Sequence, residues 1–165
     1  MSRVTTQDLV DVEGVFDDLQ KYSTYVDGGC RREGAAFEFA TARPPSASIE
    51  DKHSFVAHQD GYPVGLLDII DGYPLLGTAF IGLLAVRENL HGAGLGRDLY
   101  TQAETFIRDD LEARVIRLSV VEANPVGGFW KRMGFVPTGE WKPYEVQTVA
   151  SRLILMEKLI CSPAK

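Results

Sequence analysis

A junction near the middle of the chain constrains the fold more than any other feature. The apolar run Thr78–Val86 is followed by His91-Gly92-Ala93-Gly94-Leu95-Gly96. Beyond it Leu95, Leu99, Ala103, Phe106, Ile107 and Leu111 recur at three- and four-residue spacing. The run reads as a central strand covered on both faces, and the stripe as one side of a helix from about Gly94 to Leu111. Strand, glycines and long helix in that order call for an α/β fold, because the helix must lay its apolar face back on the sheet.

The loop has a chemistry of its own. Small residues let backbone N–H groups converge on an anion, and the helix N-terminus adds about half a positive charge. His91–Gly96 therefore reads as an anion cradle, with Arg97 as an added cation, and a Cβ at Gly94 or Gly96 would stand in the approach. Two common phosphate motifs fail on spacing. Counting G-x-G-x-x-G from Gly92 puts Arg97 at the last position, and no Gly-Lys-Ser or Gly-Lys-Thr occurs. A glycine-rich turn without a ligand, or nucleotide binding by the same loop, stays open at this level.

The flanks add strands around that junction. A short strand at Arg3–Thr5 precedes a helix carrying Leu9, Val12, Phe16 and Leu19, with Thr6 as its cap. Ala35–Ala40 is compatible with strand or helix inside an unassigned stretch, 27–48. Ser54–His58 and Val64–Ile70 flank Asp60-Gly61 as a hairpin. Val115–Val121 reads as a strand, Val126–Met133 as a short helix, and Phe135–Trp141 and Arg152–Lys158 as two late strands. The 165 residues suit one domain, 1–165.

Charge and cysteine usage exclude several classes. Acidic residues number 23 against 17 basic, a net charge of −6, so a nucleic-acid partner is not expected. No apolar stretch reaches the roughly 20 residues of a bilayer span, so no membrane is expected either. The N-terminus lacks a signal-peptide pattern, and Cys30 and Cys161 have no metal or redox spacing. His53 and His58 fall on opposite faces of one strand. The expectation is a cytoplasmic protein without a metal.

The segment IGLLAVRENLHGAGLGRDLY resembles motif A of the GNAT superfamily of N-acetyltransferases, with Gly94 and Gly96 as its G-x-G pair and His91 where Arg or Gln is usual. ANPVGGFWKRMGF is similar to motif B through Asn124, Phe129, Trp130, Gly134 and Phe135, with the interval from Asn124 to Trp130 one residue shorter than usual. The two motifs lie within Ile81–Phe135, about a third of the chain.

The resemblance implies a mixed, mostly antiparallel sheet flanked by helices, with two central strands that splay apart. It also implies direct transfer of an acetyl group from acetyl-CoA, as co-substrate, to a primary amine of a small molecule or peptide. By that likeness the backbone of His91, Gly92, Ala93, Gly94, Leu95 and Gly96, with Arg97, holds the pyrophosphate. Leu84, Ala85 and Val86 meet the pantetheine arm, and a backbone N–H near Val86 polarises the thioester carbonyl. Asn124 and Trp130 flank the arm near the sulfur. Members often dimerise, so a homodimer is a further expectation.

Two departures bear on catalysis. Many members have a Tyr general acid where this chain has Trp130, and several have a Glu base on the strand that here is Thr78–Val86, which carries no carboxylate. Asp68, in the apolar run before it, and Glu122, just after Val115–Val121, are the candidate bases. Asp71, in Asp-Gly-Tyr-Pro, reads rather as a turn former. The rival reading is a non-catalytic module that binds acyl-CoA.

Overall fold

The computed structural model describes residues 1–7 and 9–160. Its strands are β1 (Ser2–Arg3), β2 (Lys52–Gln59), β3 (Tyr62–Asp71), β4 (Thr78–Val86), β5 (Val115–Val121), β6 (Val136–Val146) and β7 (Val149–Leu159). Its helices are α1 (Leu9–Asp17), α2 (Gln20–Tyr22, running into a π-helical turn, Ser23–Asp27), α3 (Ala35–Thr41), α4 (Leu95–Asp109) and α5 (Gly127–Arg132). Among the described residues the strands make one seven-stranded sheet in the order β1-β2-β3-β4-β5-β7-β6. The β4–β5 pair is parallel and the others are antiparallel.

Local chemistry explains most boundaries. Asp60 and Gly61 both have positive φ, 50° and 82°, as a tight two-residue hairpin between β2 and β3 demands. Asp71 accepts a hydrogen bond from the Gly72 N–H at 2.8 Å and closes the turn that ends β3. The ambiguous Ala35–Ala40 is helical, because Ala35, Ala36 and Phe39 fall on one face and bury it. Two expectations shift: α1 stops at Asp17, so Leu19 lies beyond it yet stays buried, and the first strand is Ser2–Arg3. Cys161 lies outside the described residues.

Each face of the sheet has its own core. On one, α1 and α3 bury Val12, Val15, Phe16, Ala36 and Phe39 against Val56, Leu66 and Ala85. On the other, Leu99, Tyr100, Ala103 and Ile107 of α4 and Trp130 of α5 pack on Phe55, Leu67, Ile69, Ile81, Ile116 and Leu118. No helix among the described residues is long and apolar enough to cross a membrane.

The parallel contact between β4 and β5 is short. It pairs Thr78–Ile81 with Val115–Leu118 and then stops. Beyond it β4 stays with β3 as far as Val86 opposite Gly65, while β5 stays with β7 as far as Val121 opposite Leu153. The two strands part after Ile81. The two-sided cover of β4 loosens where the strands part, with Gly82 exposed and Leu83 and Leu84 half-buried, and closes again at the buried Ala85 and Val86. A strand edge with no neighbour presents backbone N–H and C=O groups for pairing.

Candidate active site

The glycine loop lies past the open edge of β4. After a 3₁₀ turn at Glu88–Leu90, His91 turns its ring back so that Nε2 donates to the Val86 carbonyl at 2.8 Å. The imidazole thus fastens the loop to the end of β4. Gly92 and Gly94 take φ of 85° and 86°, a conformation that side-chain-bearing residues adopt only under strain. The space where a Cβ would project at either is open. Gly96 differs: a Cβ there would meet Phe129 of α5 at 3.5 Å, an ordinary contact.

Gly94 caps α4 without any side-chain hydrogen bond, so the first N–H groups of the helix have no side-chain acceptor from the cap. Arg97, exposed in the first turn, has no ion-pair partner among the described residues. Free N–H groups, a helix dipole and an unpaired guanidinium together favour an anion.

Motif B divides into a half-buried turn and a core ring. The Asn124 N–H donates to Val121 O at 2.8 Å, holding the turn after β5. Trp130 is buried, edge-on to Tyr100, Phe129 and Phe135 with ring centroids 5.0–6.0 Å away. Its first role is packing. Its indole N–H engages no described residue.

The two candidate carboxylates differ sharply. Glu122 is exposed and forked onto Arg152, at 2.6 and 2.8 Å. Those hydrogen bonds hold its carboxyl below the usual range, which makes it a poor proton acceptor. Asp68 is 8% exposed on the α1/α3 side of β3. Its Oδ1 receives Lys52 Nζ at 2.6 Å and lies 3.0 Å from Ser54 Oγ. Burial pushes its pKa up, against the opposing pull of Lys52 and Ser54. Oδ2 has no hydrogen-bond partner among the described residues and points at Gly82, where an added Cβ would be 2.5 Å from it.

A third cluster joins the π-helical turn to the β6–β7 hairpin. The Tyr144 hydroxyl on β6 donates to Val26 O at 2.9 Å. A Cβ at Gly28 would come within 2.8 Å of Gln147 Cβ, so the π-helical turn sits hard against the β6–β7 hairpin. Tyr22 is pushed up to about 12 by burial, and burial also raises Asp27, which Arg32 contacts at 3.1 Å. Arg31 is paired with Glu13 and Asp17, and Arg32 with Asp27 and Glu38. His53 faces Phe106 of α4, and His58 meets Asp11 of α1.

Sequence reading missed Lys52, Ser54 and Gly82. One faint signal was available: a lysine and a serine two apart at the head of an apolar strand share a face, one hairpin away from an aspartate in another apolar run.

Comparison with known proteins agrees with this fold. The model of the Acetyltransferase (GNAT) family matches residues 15–135. No curated protein matches the chain. Among solved structures, an acetyltransferase from Thermus thermophilus superposes with a TM-score of 0.74 at 22% identity, covering 96% of this chain and 95% of its own. The ribosomal-protein-S18-alanine N-acetyltransferase from Escherichia coli gives 0.70 at 20%, covering 99% and 94%. Spermidine N-acetyltransferase from Vibrio cholerae, solved with CoA and spermine, gives 0.67 at 17%, covering 95% and 92%. The chain belongs to the GNAT acetyltransferase family.

Proposed function

We propose that the protein, acting as one domain over residues 1–165, transfers an acetyl group from acetyl-CoA to a primary amine of a small molecule or peptide. One observation carries the reading: the uncapped N-terminus of α4, led by Gly94, lies just past the stretch of β4 that β5 abandons after Ile81. The donor set fits a phosphorylated, amide-bearing group. The N–H groups from Gly92 to Gly96 and Arg97 would hold its pyrophosphate, whereas the expected His91 N–H is already committed to Glu88 O at 3.1 Å, and the β4 edge at Leu84, Ala85 and Val86 would pair with its amides. The half-buried Leu83 and Leu84 would give apolar lining, and Asn124 and Trp130 would flank the arm from the β5 side. A backbone N–H near Val86 would face the carbonyl oxygen, where a fixed donor is worth about 2.7–4 kcal/mol of barrier.

The bound acetyl-CoA supplies a thioester: the amine nitrogen bonds to its carbonyl carbon, the C–S bond breaks with its electron pair going to sulfur, and of the two protons the ammonium loses one ends on sulfur and one in solvent. An amine with pKa near 10 arrives protonated, so this chain must first hold a proton elsewhere. Asp68 is the base we assign, because Oδ2 is unengaged and burial raises its proton affinity. Glu122, neutralised by Arg152, is the weaker candidate. The relatives' acceptors, spermidine and a ribosomal-protein alanine, and the net charge of −6 support a cationic amine.

A second reading, a module that binds acyl-CoA without turnover, is favoured by Trp130, whose indole is no practical acid. Calorimetric titration with acetyl-CoA, ATP and NAD, followed by thiol release across an amine panel, separates the two. Selective binding at about −8 kcal/mol with amine-dependent thiol release is expected. Binding without release across the panel makes the protein a module, and no binding by the folded protein removes acetyl-CoA altogether.

A further inference from the structure

Among the described residues Lys52 is the one buried ammonium, and the proposed reaction leaves it unused. Its side chain is 2% exposed, and its single ionic partner is Oδ1 of Asp68, at 2.6 Å. Burying such a pair gives little net stability, since desolvation of both charges offsets their attraction. The geometry is also lopsided. Lys52 and Ser54 both sit on Oδ1, whereas a pair serving only the fold gains most by satisfying both oxygens. Ser54 Oγ lies 3.0 Å from Phe39 O and from Oδ1, and its one hydrogen serves them in turn.

Oδ2, left free, projects over β4. There Gly82 is the extra residue of a bulge, since Asp68 faces Leu83 while Ile69 faces Ile81. The carboxylate fills the space that a side chain at position 82 would take, next to the point where β4 and β5 part. In effect β3 delivers, through a gap in β4, the acidic group that β4 itself lacks.

We propose that Lys52 is the positioning residue for acetyl transfer: its ammonium anchors Oδ1 of Asp68, keeps the carboxylate ionised, and leaves Oδ2 over Gly82 to take the proton of the incoming ammonium. The proposal rests on Asp68 being the base. The proton passes from the amine nitrogen to Oδ2 and from there to solvent, so Asp68 returns to its carboxylate form. The groups facing Asp68 are few. β2 presents Lys52 and Ser54, α3 presents the Phe39 carbonyl through Ser54, and β4 presents the Gly82 main chain. Among the described residues Lys52 is the only charge acting on it.

The test compares the pH profile of kcat/KM for wild type, Lys52→Met, Lys52→Arg and Asp68→Asn, with acetyl-CoA affinity measured beside each. Activity requires the ionised carboxylate, so the wild-type profile falls on the acid side. Removing the cation moves that limb up by about one pH unit or more, with acetyl-CoA affinity within about twofold, and Lys52→Arg returns it toward wild type. Should Lys52→Met fail to fold, Lys52→Gln, which keeps a donor without charge, carries the same expectation. A folded, uncharged variant with an unmoved acid limb overturns the role of Lys52, whatever Asp68 does. Asp68→Asn with wild-type rate and limb overturns the base itself, and this proposal with it.

Discussion

The two faces of the sheet solve different problems. On the α4/α5 side the glycine loop, the α4 N-terminus and the aromatic ring cluster are built from residues close together in sequence, and the core there is apolar. On the α1/α3 side the apolar core is interrupted by Lys52, Ser54 and Asp68, from two strands, all buried and all hydrogen-bonded. A face that grips a cofactor through backbone groups needs only a fixed loop. A face that moves a proton needs a titratable group out of water, and such a group needs partners. The first kind of site leaves a motif, and the second leaves scattered residues.

The largest effect should come from breaking the apolar face. Phe135 is 1% exposed and sits against Tyr100 and Trp130, so Phe135→Ala should cost about 3–5 kcal/mol. Thermal melting checks this, and a loss under about 1 kcal/mol would mean the ring cluster is not what holds α5. Next comes the loop. Gly94→Glu forces a side chain into the left-handed conformation and adds negative charge at the dipole's positive end. Acetyl-CoA affinity should fall by about 100-fold or more, about 2.7 kcal/mol, while the fold persists. Near-normal affinity would detach the cradle from the cofactor.

His91→Ala should do much less. Its ring is engaged by Val86 O at 2.8 Å, so the variant loses about 1 kcal/mol of stability and under tenfold in acetyl-CoA affinity. A loss as large as that of Gly94→Glu would show that the imidazole serves the cofactor rather than the strand end. The smallest effect concerns His53, whose pKa is held below its usual value by burial and by Arg3. The unfolded chain takes up that proton first, so stability is full above about pH 6.5 and falls as pH drops from there toward the lowered folded value. Urea melts at several pH values should show a dependence that flattens in His53→Phe, and an unchanged slope would assign it to other groups.

How much was legible follows the same divide. Thr78–Val86 and Val115–Val121 were readable to the residue, because short apolar runs bounded by turns have few alternatives. The helix stripe placed α4 within two residues at either end. Ala35–Ala40 stayed ambiguous, since a short run that is apolar at all but Glu38 suits either period until α3 packs beside α1. Trp130 was expected beside the cofactor arm. Its ring is buried edge-on among Phe129, Phe135 and Tyr100, and the contact with Tyr100 of α4 comes only from the packing of α5 on α4.

By itself the sequence determined the α/β order, the two-residue hairpin at Asp60-Gly61 and the glycine junction at His91–Gly96 that leads into α4. Each depends on neighbours along the chain and on backbone freedom at a few glycines. Tertiary structure alone decided what stands around Asp68. Counting back from the hairpin without a bulge would set it opposite His53, and the irregularity between Ala57 and His58 moves it to Ser54. A second bulge puts Gly82 under its free oxygen. A one-residue slip reverses which face every side chain takes, and no local pattern announces where a strand will bulge.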